Sequence, residues 1–254
     1  MNKEDYSLLC DDLYLDMYVN TELELPSQRD TILAFFERIG KQYPSMSNFY
    51  RRDQHYYLEE ENSSGQYRWA ALESSRIGSG IVNPEKFAEA YSQGKFVLEL
   101  IPYMLGVNFL DIDSLDVTIG MDFDYWGNHD EVIAEALLGT GPLNCLSDLP
   151  SSRIIDCSPS IVVSLSEDNR TQARISVESK TTIFDPREKE SAGGPDKFIS
   201  LLFTIRQYPQ AGEKFDPIKS FEKQCRLAEE LLAEKIAPSI VKPLVNTIAQ
   251  KRFI

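Results

Sequence analysis

Apolar and polar residues begin to alternate at Leu13. Leu13, Leu15, Met17 and Val19 fall on one side, and Tyr14, Asp16, Tyr18 and Asn20 on the other. A period of two is the signature of a half-buried β-strand. Pro26-Ser27 then stops the strand, and Ser27 with Asp30 three residues later predicts a capped helix start. Ile32, Phe35, Phe36 and Ile39 share one face of that helix, which Gly40 and Pro44 end. Two strand-like runs follow, "FYRRDQHYYLEE" and "YRWAALESSRI", joined by the turn "NSSG". A short run around Gly80-Ile81-Val82 leads into Asn83-Pro84-Glu85, a predicted N-cap with Pro at the first helical position. This second helix runs toward Leu105, and Pro102 is expected to kink its last turn.

The pattern then starts again. "SLDVTIGMDFDYW" is a long alternating strand with Leu115, Val117, Ile119, Met121, Phe123 and Tyr125 on its apolar side. "NHDEVIAEALL" is a short helix, and "PSIVVSLS" and "TQARISVESKTTIF" are strands around the turn Glu167–Arg170. "DPREKESAGGPDK" reads as a mobile crossover before the strand "FISLLFTIRQY". Asp216-Pro217 opens a long helix with the stripe Ile218, Phe221, Cys225, Ala228, Leu232, Ile236, which Pro238 and Pro243 should bend or interrupt.

Self-similarity supports this division. "LDMYVN" at residue 15 aligns with "MDFDYW" at 121, and "LES" at 72 with "VES" at 177, offsets of 106 and 105. The expected fold class is therefore α+β: a tandem repeat of a β-α-β-β-β-α unit. Its mostly antiparallel sheet has helices packed on one face, in a saddle-like or helix-grip-like topology. The units are residues 1–110, strongly acidic, and 111–254, which carries the long C-terminal helix.

The stretch "MDFDYWGNHDEV", Met121 to Val132, concentrates candidate chemistry. Most of it has a structural reading: Asn128 caps a helix, Glu131 completes an N-x-x-E pattern, and Asp130 and Glu131 suit the positive helix end. A site here needs His129 to project back toward Asp122 or Asp124, where oxygen ligands suit a hard divalent cation or two carboxylates do acid–base work. Neither a zinc-peptidase HExxH nor a twelve-position calcium loop is present, so no metal or other cofactor is expected. His55 and His129 are the only histidines, and no GxSxG elbow or phosphate-cradling GxxxxGK[ST] loop occurs. Gly78-Ser-Gly80 reads as a bend or bulge in an edge strand. The four cysteines, Cys10, Cys145, Cys157 and Cys225, are scattered and read as reduced, mostly buried thiols.

Charge sharpens the picture. Residues 1–150 hold 26 acidic and 10 basic side chains, whereas residues 151–254 hold 14 and 16. The acidic first part would repel nucleic-acid phosphates and anionic lipid and would steer basic partners inward. No apolar run is long enough to span a bilayer, and the N-terminus lacks a basic, apolar signal, which points to the cytoplasm. The function expected is non-enzymatic binding of a protein partner with a basic surface. Tyr14, Asp16, Tyr18, Asp122, Asp124 and Trp126 form the acidic, aromatic sheet face. Arg174, Glu178, Lys180 and Arg206 grade that face toward positive charge. Two other readings are an enzyme or small-molecule carrier with a cavity between sheet and C-terminal helix, using Asp122, Asp124 and His129, and an acidic mimic of nucleic acid.

Overall fold

Strand β1 (Asp12–Thr21) buries every second residue, as its alternation predicts: Leu13, Leu15, Met17 and Val19 are closed off from solvent. The computed structural model describes residues 6, 9–61, 65–146, 149, 151–179, 198–210, 212 and 214–252. Helix α1 (Arg29–Gln42) follows, then β2 (Asn48–Arg52), β3 (His55–Glu59), β4 (Tyr67–Leu72), β5 (Arg76–Val82) and α2 (Phe87–Met104). The chain continues through β6 (Ile112–Asp124), α3 (His129–Leu138), a 3₁₀ turn (Pro142–Leu146), β7 (Ser160–Ser164), β8 (Thr171–Ser179) and β9 (Phe198–Gln207). Helix α4 (Pro217–Leu231), a π-helical segment (Leu232–Val241) that contains Pro238, and α5 (Lys242–Arg252) close it.

Among the described residues the strands form one antiparallel nine-stranded sheet, in the order β2-β3-β4-β5-β1-β6-β9-β8-β7. β1 and β6 pair at its middle. Helices α2 and α4 pack over the sheet, α2 against β1 and β5, α4 against β6 and β9. They bury the apolar side of these central strands, worth roughly 1.5–3 kcal/mol for each enclosed Leu, Ile or Phe. Two glutamines fasten these helices to the strands beneath. Gln93 of α2 donates to the carbonyls of Trp69 and Gly80, and Gln224 of α4 to those of Leu115 and Ile205. Both side chains are buried, so their hydrogen bonds offset the cost of removing an amide from water. The two helices also touch each other: Phe221 comes so close to Gly94 that a Cβ there would lie 2.7 Å from the ring.

Several local expectations need correction. "FYRRDQHYYLEE" is a hairpin, not one strand, because Asp53 and Gln54 adopt left-handed backbone (φ 50° and 72°) and reverse the chain between β2 and β3. The chain from Asp12 to Met104 thus holds five strands. Neither Ser27 nor Asn83 caps a helix: α1 begins after Gln28 and α2 after Lys86, with no side-chain cap at either. Asn83, at φ 51°, instead brackets the start of β1. It accepts from the Leu13 N–H and donates to the Asp12 carboxylate and the Gly65 carbonyl. Asn128 and Asp216 do cap their helices, accepting from the N–H groups of Glu131 and Lys219. β5 is an interior strand, so Gly78 and Gly80 do not mark an edge. Of the four free cysteines only Cys225 is buried, and Cys145 is exposed. The crossover Asp185–Lys197, together with Lys180, lies outside the described residues.

Candidate binding face

The side of the sheet opposite α2 and α4 is polar, and register fixes which of its residues are neighbours. One row runs Val162, Arg174, Thr204, Thr118, Asp16, Gly80, Trp69 across β7, β8, β9, β6, β1, β5 and β4. The next runs Gln172, Arg206, Asp116, Tyr18, Gly78. Directly opposed residues of an antiparallel pair share a face, so these side chains lie alongside one another.

Three glycines decide how they pack. Tyr14 faces Gly120, Asp16 faces Gly80, and Tyr18 faces Gly78. A Cβ at Gly80 would lie 2.1 Å from Asp16 Oδ1 and 2.7 Å from Trp69 Nε1, and one at Gly78 would lie 2.8 Å from Trp69 Cζ3. The missing side chains let Tyr14, Asp16, Tyr18 and Trp69 lie down across neighbouring strands instead of standing up into solvent. Glycine inside a strand carries this meaning, a close approach.

The recumbent side chains shield a polar layer. Asp116 is only 3% exposed, and it accepts from Arg206 through Nε at 2.7 Å and Nη2 at 2.6 Å, a two-point pair. Hydrogen bonding to Asp116 holds the Arg206 guanidinium above its ordinary range. Ser200 donates to Asp122 at 2.7 Å, and Tyr14 to the same carboxylate oxygen at 3.4 Å. Arg76 stacks on the Tyr18 ring, 3.5 Å from its centroid. Asp16 retains some residue surface, but its Oδ1 is sealed from solvent without a hydrogen-bond partner. Burial pushes the Asp16 carboxyl up to about 7. The Asp122 charge adds to this, against the pull of Trp69, Arg76 and Tyr18. Burial, then neighbouring carboxylates, raises the Tyr14 and Tyr18 phenols, which stay protonated donors near neutrality.

Two adjoining cavities open on this face. One, of about 350 Å³, is lined by Asp12, Tyr14, Asp16, Tyr67, Trp69 and Asp122, together with Gly65 and Val82. It is acidic and aromatic. The other, of about 370 Å³, shares Tyr14 and Asp16 but adds Tyr18, Asp116, Arg76, Arg174 and Arg206. The second cavity thus sets three arginines beside Asp16 and Asp116, whereas the charged side chains lining the first are all acidic.

No protein-family model and no curated protein matches this chain.

Four of the six residues expected on that face meet there: Tyr14, Asp16, Tyr18 and Asp122. The other two sit apart. Asp124, at the end of β6, is exposed, and its N–H bonds to Asp11. Partial burial, with Asp11 and Asp12 near, raises its carboxyl. Trp126 lies beyond the strand and is 77% exposed. His129 turns inward, fully buried, with Nε2 donating to the Tyr125 carbonyl 2.8 Å away. Asp122, by contrast, belongs to the polar face. Among the described residues no group of three or more His, Cys, Asp or Glu side chains is placed to hold a metal ion. Likewise, no helix among them is long and apolar enough to cross a membrane. Sequence reasoning missed Asp12, Tyr67, Trp69 and Arg76. The glycines inside alternating strands were the available signal for Trp69.

Proposed function

We propose that this chain is a non-enzymatic binding protein whose polar sheet face seats a cationic side chain from a protein partner. One observation carries the reading: the 350 Å³ cavity gathers three acidic side chains, Asp12, Asp16 and Asp122, against three aromatic rings, Tyr14, Tyr67 and Trp69. Aromatic faces and carboxylates together favour a partly desolvated Lys or Arg. Arg174, exposed in the neighbouring cavity, supplies the opposite charge for a partner that carries an acid beside its basic residue. We read the chain as two related units, 1–110 and 111–254. Each contributes one central strand, β1 or β6, and one glutamine-fastened helix, α2 or α4.

The test is binding of fluorescent peptides that carry single Lys or Arg residues, measured on the full chain by anisotropy. Affinity should fall at least about tenfold, or roughly 1.4 kcal/mol, for Asp122→Lys and for Trp69→Ala. Trp126→Ala, away from the cavity, should change it little. Equal affinity for acidic and basic peptides would refute the reading.

A further inference from the structure

The two edges of the sheet differ. β2, at one edge, carries Arg51 and Arg52 and runs into Asp53, all exposed. Charges of this kind deter an edge strand from pairing with another chain. β7, at the other edge, has none: residues 158–166, "SPSIVVSLS", are uncharged. Every residue of β7 is exposed, including Ile161 at 58%, Val162 at 55% and Val163 at 44%. An uncharged apolar edge of this sort invites another strand.

Among the described residues, the hydrogen-bond pattern shows which β7 backbone groups are directed away from β8. Leu165 N–H donates to Thr171 O, and Val177 N–H donates to Pro159 O. In an antiparallel ladder this directs Pro159, Ile161, Val163 and Leu165 toward β8, so the N–H and C=O groups of Ser160, Val162 and Ser164 point outward. These three form a set symmetric about Val162.

We propose that β7 is a self-association edge, on which a second copy of this chain adds its own β7 antiparallel about a two-fold axis at Val162. The sequence Ser-Ile-Val-Val-Ser suits that axis. Ser160 then faces Ser164 of the second copy, Val162 faces Val162, and Ile161 faces Val163, so each residue meets one like itself. Outward backbone groups pair at all three positions, and apolar side chains are covered on both faces of the sheet. An isologous contact of this kind closes as a dimer and leaves no further β7 edge. No charge lies within the paired segment 158–166. Arg174, beside Val162 on β8, is separated from its counterpart by three strand spacings, about 14 Å, beyond the screening length of about 8–10 Å.

The test is sedimentation of the full chain across the micromolar range at physiological salt, with amide hydrogen exchange of β7. We expect a species of twice the 28.9 kDa chain mass, with slowed exchange at Ser160, Val162 and Ser164 in the dimer alone. Val162→Glu sets two carboxylates against each other across the axis, while each faces Arg174 in its own copy. It should abolish the dimer and leave the circular dichroism spectrum unchanged. Val162→Pro, which removes an outward N–H, should do the same. A wild-type chain that remains a monomer overturns the proposal. So does a dimer that survives both substitutions while the β7 amides exchange freely.

Discussion

Tyr14 and Gly120 face each other across the β1–β6 pair, and the Tyr14 ring fills the space of the missing side chain. A Cβ at Gly120 would lie 1.9 Å from Tyr14 Cε2 and 2.1 Å from Cζ. No side chain fits there while the ring stays down. The same relation, repeated at Gly78 and Gly80, converts an ordinary polar sheet face into one with two recessed cavities.

Gly120→Ala should therefore lift Tyr14 away from Asp122. Forcing extra atoms into a filled site costs about 1–3 kcal/mol, and urea unfolding should read a loss of that size. Combined with Tyr14→Ala, the same substitution should cost less than the two losses summed, because the colliding ring is gone. Strict additivity would contradict the packing described.

Asp16 should make stability depend on pH. Its carboxyl is raised from 3.8 to about 7 by burial, so the folded state favours the protonated form. The stabilisation is fully present below pH 3.8 and is lost as pH rises through 7, because the folded chain then holds a largely desolvated carboxylate whose Oδ1 is closed off from solvent. The full difference is on the order of 4 kcal/mol. Asp16→Asn should flatten this part of the profile between pH 4 and 8, and raise stability at the alkaline end. A variant whose unfolding free energy follows the wild-type curve would rule out Asp16 as the source.

Arg206→Ala should leave Asp116 buried, with the Asn20 amide, 3.2 Å from Oδ2, still donating to it. Breaking a fully buried ion pair costs about 3–5 kcal/mol. Arg206 keeps 41% of its side chain in solvent, so about 2–3 kcal/mol is expected. Replacing both partners with apolar residues should recover part of that loss. Thermal unfolding of the single and double variants measures both.

Much of the sheet was legible because local periodicity and long-range burial agree. The alternation at Leu13–Asn20 and Leu115–Tyr125 named the core-facing residues of β1 and β6, and the stripe on α4 named its buried face. Asn128 and Asp216 were legible as caps because a cap depends on a few neighbouring residues. Asn83 carried the same signal and misled, because β1, distant in sequence, competes for its side chain.

The candidate face was only half legible. Tyr14, Asp16, Tyr18 and Asp122 were placed on one side by alternation alone. Trp69 and Arg76 come from strands whose register against β1 no local pattern fixes. Alternation along an extended backbone was enough to tell which residues of β1 and β6 face away from the helices. Which of them meet, that glycines stand opposite the Tyr-x-Asp-x-Tyr of β1, and that Asp16 Oδ1 is closed off from solvent follow only from the assembled sheet. Those facts depend on strand order and register, which are set by how the whole sheet buries its apolar side against the helices.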